Sequence, residues 1–198
     1  MEIQDADQLF VGGSQLWYAD NWHRRSGCGP TAATNIVWYL AHSAILQDLV
    51  SANDISTRED YTHLQEGMFS YVTPRAGGVN RSRILTDGLE HYARDHRFNL
   101  HTYSLQIPLR KSRRPSEQCL RSFLVRAKEA DSPIAFLNLS SGNQAVLDSW
   151  HWVTILAYDE QTLEVQFSDQ GHILHMDLIA WLTSSALGGA LVFVTVSM

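Results

Sequence analysis

The chain has 198 residues, enough for one domain that buries about 70% of its unfolded surface. Its hydrophobic share of 44% is ordinary for a globular protein, and its formal net charge of −6 argues against nucleic acid as the main partner, because phosphate binding requires a basic surface. The short basic segment from Arg110 to Arg114 is interpreted as a solvated loop rather than a docking patch.

The first two thirds of the chain is predicted to be mostly helical. Apolar residues recur at helical spacing over 29–50, which predicts a long helix through the middle of the fold. The polar residues 51–58 predict a loop. The further elements expected in this part are helices at 59–72, 81–97 and 115–129, and a strand at 99–107.

From Pro133 onward the pattern changes to short apolar runs separated by turn-forming residues. These runs predict strands at 133–139, 151–158, 163–168 and 190–196. Helices followed by an antiparallel sheet form an α+β arrangement. We therefore expect one domain over residues 1–198, with a helical middle segment at about 51–129.

Cysteine usage and the N-terminal segment predict a reducing, cytoplasmic location. Cys28 and Cys119 are the only cysteines, too few for a disulfide framework. The segment from Met1 to Asp7 is acidic and polar, unlike a secretory signal. No apolar stretch approaches the roughly 18 residues that a membrane span requires, so we expect no membrane partner.

Cys28 lies in the segment Gly27-Cys28-Gly29-Pro30-Thr31-Ala32-Ala33, directly before the long helical run. A helix start presents unpaired N–H groups and the positive end of the helix dipole, and both favour the reactive thiolate. The flanking glycines allow a sharp turn and close approach of a substrate, and Pro30 suits the first helical turn. The segment indicates a nucleophile, the alternative being that Cys28 is a small buried hydrophobic residue. Cys119, inside a predicted helix, is interpreted as a packing residue.

A cysteine nucleophile needs a base, and histidine has a suitable pKa. Of the nine histidines, His151 stands out because it opens a predicted apolar strand. A polar side chain at this position is often functional, although it can also simply cap the strand edge. His172 and His175 are three residues apart, but no third ligand lies nearby in the sequence, so no metal site is predicted. No cofactor is expected.

The base needs an orienting group, and hairpin geometry favours Asp169. If Glu160 and Gln161 form a two-residue turn, Trp152 faces Asp169; a shift of one residue pairs His151 with Asp169. Either register brings the carboxylate level with the imidazole. Asp159 would lie about 26 Å along the strand and is rejected. Asp169 is also interpreted as a turn residue, and Asp148 and Asn143 are weaker candidates for the orienting role.

An oxyanion intermediate needs hydrogen-bond donors. The backbone N–H of Cys28 is one, and a side-chain amide from Asn21 or Gln15 is the second. Asn21 is preferred because only a short segment separates it from Cys28. Trp22 and Trp152 are each adjacent to a proposed site residue and are expected either to shield the site or to pack in the core.

These residues resemble the papain-like cysteine peptidases, most closely the bacterial C39-like branch that processes bacteriocins. The shared features are the Cys28 segment on a central helix, His151 at the start of a strand, Asp169 at the end of the next, and the order of the three. They cover roughly residues 15–50 and 130–198. The resemblance implies a papain-like fold with Cys28 as nucleophile, His151 as general base and acid, and Asp169 as orienting carboxylate.

The sequence departs from that family at two points. Papain-like enzymes place an oxyanion glutamine six residues before the cysteine, where this chain has Trp22, so Asn21 and Gln15 both stay open. Transporter segments, which often accompany bacteriocin-processing domains, do not occur in this sequence, so export-coupled leader cleavage is not supported.

Three functions are compatible with this pattern. The first is a cysteine hydrolase acting on a peptide or amide bond through a thioester on Cys28. The second is an acyltransferase that resolves the same thioester with an amine or thiol. The third is a peptide-binding module that has lost activity, because a fold alone does not secure a function.

Overall fold

The computed structural model describes residues 1–43 and 57–197. Among these residues, the N-terminal part includes the strands β1 (Glu2–Asp5) and β2 (Gln8–Val11) and the α-helices α1 (Asn21–Ser26), α2 (Cys28–His42), α3 (Arg58–Tyr71) and α4 (Ser82–Asp95). The remainder contains β3 (Asn99–Ile107), α5 (Glu117–Glu129), β4 (Ile134–Asn138), β5 (His151–Tyr158), β6 (Glu164–Asp169), β7 (His172–Asp177), α6 (Leu178–Ser184) and β8 (Gly189–Ser197).

Six strands form one antiparallel sheet in the order β3-β8-β4-β5-β6-β7. Strand alternation sends Leu137 and Trp152 into one apolar cluster with α2, α3 and α4. Their neighbours Phe136 and Val153 enter a second cluster with α5 and α6 on the other face. The sheet is therefore covered on both faces, and the α+β prediction is confirmed.

Helix α2 is the central helix of the fold. Its start at Cys28 agrees with the prediction, and all but three of its residues are buried. The helix ends at His42, with Ser43 as its cap. The prediction of one unbroken helix over 29–50 is therefore wrong at Ser43, whose extended backbone, with a ψ of 156°, ends the helix. The predicted helix over 44–50 and loop over 51–56 lie outside the described residues, and Arg58, predicted to be in that loop, begins α3.

The other predicted helices and strands are confirmed with shifts of one or two residues at their ends. Four elements were not predicted from the sequence: the β1–β2 hairpin, α1, β7 and α6. Each is short, and β7 is an edge strand with a single fully buried residue, Met176, so its hydrophobic alternation is weak. No helix within residues 1–43 and 57–197 combines the length and hydropathy of a membrane span.

The glycines Gly29 and Gly67 make a matched test of the packing around α2. A Cβ on Gly29 would lie 2.6 Å from Val79 Cβ, whereas one on Gly67, exposed in α3, would meet nothing within 4 Å. Gly29→Ala should lower the free energy of unfolding by about 1–3 kcal/mol through overpacking. Gly67→Ala should raise it by about 0.5–1 kcal/mol because alanine is the better helix former. Urea unfolding measures both; equal effects of the two variants would contradict this packing.

Candidate active site

Cys28 occupies the start of α2, immediately after the short helix α1. No capping side chain hydrogen-bonds to the backbone N–H groups at this helix start. Gly27 makes the tight junction between the two helices possible, since a Cβ there would lie 2.4 Å from the Tyr18 ring. Cys28 is half-buried and lines two cavities, one on either side of it.

His151 and Asp169 are brought together as the sequence predicts. His151 Nε2 lies 2.8 Å from Asp169 Oδ1, and Cys28 lines the same small cavity as both side chains, close enough to the imidazole to affect its pKa. Burial of the imidazole disfavours its charged form, but its interactions with Asp169 and Cys28 raise the pKa of His151 to about 10. The three side chains therefore form a connected chain from nucleophile to carboxylate, with His151 protonated at neutral pH.

The register behind this contact differs from both predicted pairings. Thr154 pairs with Ser168, which sets Asp169 opposite Val153. The turn between β5 and β6 has four residues and not two, since Asp159 N donates to Glu164 O. A bulge at Leu156 then moves the pairing of the two strands by one residue toward the predicted register. His151 and Val153 are two residues apart and share a strand face, so the carboxylate reaches the imidazole diagonally.

Asp169 also lies directly before a tight turn, so its two predicted roles coexist. Gln170 and Gly171 both have positive φ, at 51° and 81°, as a two-residue hairpin turn requires. The turn is braced by the N-terminal segment: Val11 N donates to Gly171 O at 2.9 Å, and Ser14 Oγ donates to Gln170 Oε1. The weaker candidates Asn143 and Asp148 are exposed and do not hydrogen-bond to His151.

Gln15, and not Asn21, accompanies Cys28. Gln15 lines the same small cavity as Cys28 and His151. That cavity has a volume of about 10 Å³, which is room for about one water molecule. One hydrogen of its Nε2 is donated to Arg24 O at 2.9 Å, which fixes the amide and leaves the second hydrogen free to donate. Its Oε1 is buried without a partner among the described residues, so part of the hydrogen-bonding capacity of the amide is unused within the chain.

The preference for Asn21 fails because the segment before Cys28 is not a loop. Residues 21–26 form α1, which takes up about 9 Å along its axis. Asn21 is the exposed first residue of that helix and lines neither cavity beside Cys28. Asp20 caps α1 by accepting from Trp22 N and His23 N, a helix-start signal that was visible in the sequence.

A buried polar network that the sequence analysis missed holds the backbone just before Gln15. Asn35 Oδ1 accepts from Gly13 N at 2.9 Å and from Tyr61 Oη at 2.7 Å. Gln65 Nε2 donates to Ser14 O at 3.0 Å and to Thr31 Oγ1 at 2.7 Å. In the sequence, the network is indicated only by polar residues four positions apart on a buried helix face, Thr31 with Asn35 in α2 and Tyr61 with Gln65 in α3.

The two tryptophans expected near the site have different positions. Trp22 is exposed and lines the second cavity beside Cys28, as a shielding residue would. Trp152 is buried in the core and donates its indole N–H to Val79 O, which anchors the 76–80 loop beside Cys28. Trp150, which the sequence analysis did not consider, lines the second cavity instead.

The largest cavities and the histidines of β7 lie apart from Cys28. A cavity of about 420 Å³ beside Tyr39, α5 and β5 contains none of Cys28, His151 and Gln15. His175 lies 3.5 Å from Glu164, and His172 contacts the Phe10 ring. Within residues 1–43 and 57–197, no three His, Cys, Asp or Glu side chains are grouped to hold a metal ion.

In comparisons with known proteins, the chain matches no family model and no curated protein. The resemblance to papain-like peptidases therefore depends on the Cys28 segment and on the positions of His151 and Asp169. The geometry of those side chains is the basis of the functional proposal.

The raised pKa of His151 predicts how stability varies with pH. The folded chain holds this proton more tightly than the unfolded chain, so the stabilisation is fully present below about pH 6.5 and is lost as pH rises through about 10. Asp169→Asn removes one cause of the shift. The stability difference between wild type and Asp169→Asn, measured by urea unfolding, should be on the order of 1–3 kcal/mol larger at pH 6 than at pH 10.

A matched control for that experiment is Glu164→Gln. Glu164 also faces a histidine, His175, but both side chains are more than half exposed. Solvent screening should make its pH-dependent effect small. Equal pH dependence for Asp169→Asn and Glu164→Gln would contradict a special role for the buried pair.

Proposed function

We propose that the protein is a cysteine hydrolase that cleaves a peptide or amide bond through a thioester on Cys28. The observation that carries the proposal is the contact chain from Cys28 through His151 to Asp169 at an uncapped helix start. A buried ion pair alone is weak support for catalysis. The partial exposure of Cys28 and the amide of Gln15 in the same cavity make a catalytic arrangement the better explanation.

Acylation would begin with attack of the Cys28 thiolate on the substrate carbonyl carbon. The oxygen would become an oxyanion, stabilised by the backbone N–H of Cys28 and the free amide hydrogen of Gln15. His151, protonated at neutral pH, would give its proton to the leaving amine as the carbon–nitrogen bond breaks. The products of this half-reaction are the free amine and a thioester on Cys28.

Deacylation would use the same residues in the reverse sense. Neutral His151 would take a proton from water as the water oxygen attacks the thioester carbon. The carbon–sulfur bond would break, the acid would leave, and the thiolate–imidazolium pair would be restored. Asp169 would hold the imidazole in one orientation through both steps.

A cytoplasmic location is part of the proposal. Both cysteines are free, and the mechanism requires a reduced Cys28. The substrate is a peptide or amide, with no nucleic acid expected, given the net charge of −6.

Alkylation by iodoacetamide tests the nucleophile directly, with exposed Cys119 as an internal reference. Near pH 6, Cys28 should react at least about tenfold faster than Cys119, because it lies at a helix start beside the protonated imidazole of His151. His151→Ala should reduce the Cys28 rate to that of Cys119, whereas His101→Ala, on the exposed side of β3, should not. Peptide mass spectrometry resolves the two sites. Equal rates at Cys28 and Cys119 in the wild type would favour the binding module over either enzyme.

Acetylation by p-nitrophenyl acetate tests the oxyanion donor. Gln15→Ala should slow acetylation of Cys28 by about 10², the usual effect of losing one donor. Asn21→Ala should have a much smaller effect, because Asn21 lies outside the cavity. Alkylation by iodoacetamide forms no oxyanion and normalises both variants for thiolate reactivity. A larger loss in Asn21→Ala than in Gln15→Ala would refute the assignment of Gln15.

The fate of that acetyl group separates hydrolysis from acyl transfer. Mass spectrometry of the intact protein follows loss of the acetyl adduct in water alone and after addition of a primary amine. Discharge in water at the same rate with and without the amine supports the hydrolase. An adduct that is stable in water and discharged by the amine would identify an acyltransferase.

A further inference from the structure

A second cavity adjoins Cys28 on the side away from Gln15. Its volume is about 230 Å³ and its lining includes Trp22, Arg25, Val79, Leu137, Leu139 and Trp150. Whole small-molecule sites usually occupy about 300–1,000 Å³, so this cavity is sized for part of a substrate, such as one large side chain. Its contact with the nucleophile places that part next to the scissile bond.

The cavity has a mixed lining, in which two tryptophans and three branched aliphatic side chains are combined with polar groups from Arg25, Ser26 and Asn80. Trp22 and Trp150, at 52% and 57% exposed, are the most exposed of the six tryptophans, and both line it. Trp150 also has a φ of 59°, a conformation that bulky residues rarely adopt. This backbone presents an indole ring at the cavity directly before His151 in the chain. Exposed aromatic rings beside a nucleophile are surfaces that a substrate would cover.

Arg25 adds a positive charge to this lining. Its side chain has no ion pair and no hydrogen bond with the described residues, whereas the preceding Arg24 donates to Tyr18 O. An unpaired guanidinium in a chain of net charge −6 is free to bind an anionic group. The feature favours a carboxylate on the substrate.

The position of His151 decides which part of the substrate this cavity holds. His151 lines the cavity with Gln15 and not the one with Trp22 and Trp150. The leaving amine must lie near His151 to receive its proton. The acyl part, which stays on Cys28, therefore extends into the tryptophan-lined cavity.

We propose that this cavity selects acyl groups that carry a large apolar side chain together with a carboxylate, within the two residues before the scissile carbonyl. The proposal rests on the proposed cysteine chemistry at Cys28. Trp22 and Trp150 bind the apolar side chain, and Arg25 binds the carboxylate.

Dipeptidyl chloromethyl ketones test this selection, because they place the peptide in the acyl position and need no turnover. The Cys28 sulfur forms a bond to the methylene carbon and chloride leaves. The probes are acetyl-Glu-Phe and acetyl-Phe-Glu ketones, with matched probes carrying Lys for Glu or Gly for Phe. Each rate is divided by the iodoacetamide rate of the same protein. The faster of the two Glu/Phe probes should react about tenfold faster than the same probe with Gly in place of Phe. It should react about fivefold faster than the same probe with Lys in place of Glu.

Variants assign these preferences to residues. Arg25→Glu should reverse the preference from Glu to Lys, whereas Arg110→Glu, an equal charge change outside both cavities, should not. Trp150→Ala should remove most of the advantage of Phe over Gly. A preference for Glu that survives in Arg25→Glu, or equal rates for all probes, would overturn the proposed selection.

The outcomes separate this inference from the proposed function. Rapid alkylation by iodoacetamide that depends on His151, together with equal rates for all peptidyl probes, would refute only the acyl-group selection. Slow alkylation that is independent of His151 would refute the cysteine chemistry itself.

Discussion

The hydrogen bond between His151 Nε2 and Asp169 Oδ1 is the interaction on which the site depends. It joins the start of β5 to the end of β6 and fixes the imidazole beside the first residue of α2. The carboxylate compensates for burial of a charged ring, so the imidazolium is stable where a lone histidine would be neutral. Without it, the ring would have no fixed orientation toward Cys28.

The N-terminal segment links this interaction to the oxyanion donor. Residues 11–15 hydrogen-bond to the turn that follows Asp169 and to Asn35 and Gln65 in the core, and Gln15 ends that segment. The position of the carboxylate and the position of the amide therefore depend on one stretch of backbone. Buried polar networks of this kind specify a unique arrangement more than they add stability. A fixed geometry is what electrostatic stabilisation of an oxyanion requires.

Much of this arrangement could be predicted because its signals are local. The glycines and proline around Cys28 mark a helix start. The lengths of the two predicted strands and the position of the turn between them place Asp169 close to His151, although the predicted pairing differs from the observed one by one residue. The loop length and the bulge at Leu156 leave no clear trace in the sequence, and their effects on the register partly cancel. Gln15 could not be chosen over Asn21, because the choice depends on α1, a helix of six residues without an apolar stripe.

The N-terminal hairpin and the Asn35 network were missed for a different reason. Each strand of the hairpin has four residues, too few for a clear alternation. The network consists of contacts between residues distant in the chain, and polar residues on a buried helix face reveal only that partners exist. Which partners they find is decided by packing of α2 against α3, and periodicity alone does not encode that packing.

The central claim is that His151 is an imidazolium held between Asp169 and Cys28. The most direct measurement is a pH titration of the His151 ring by NMR with ¹⁵N-labelled histidine, assigned by comparison with a His151→Ala sample. The geometry predicts that the ring stays protonated through neutral pH and titrates with a pKa of about 10. Titration at the ordinary value for histidine, about 6.5, would contradict it.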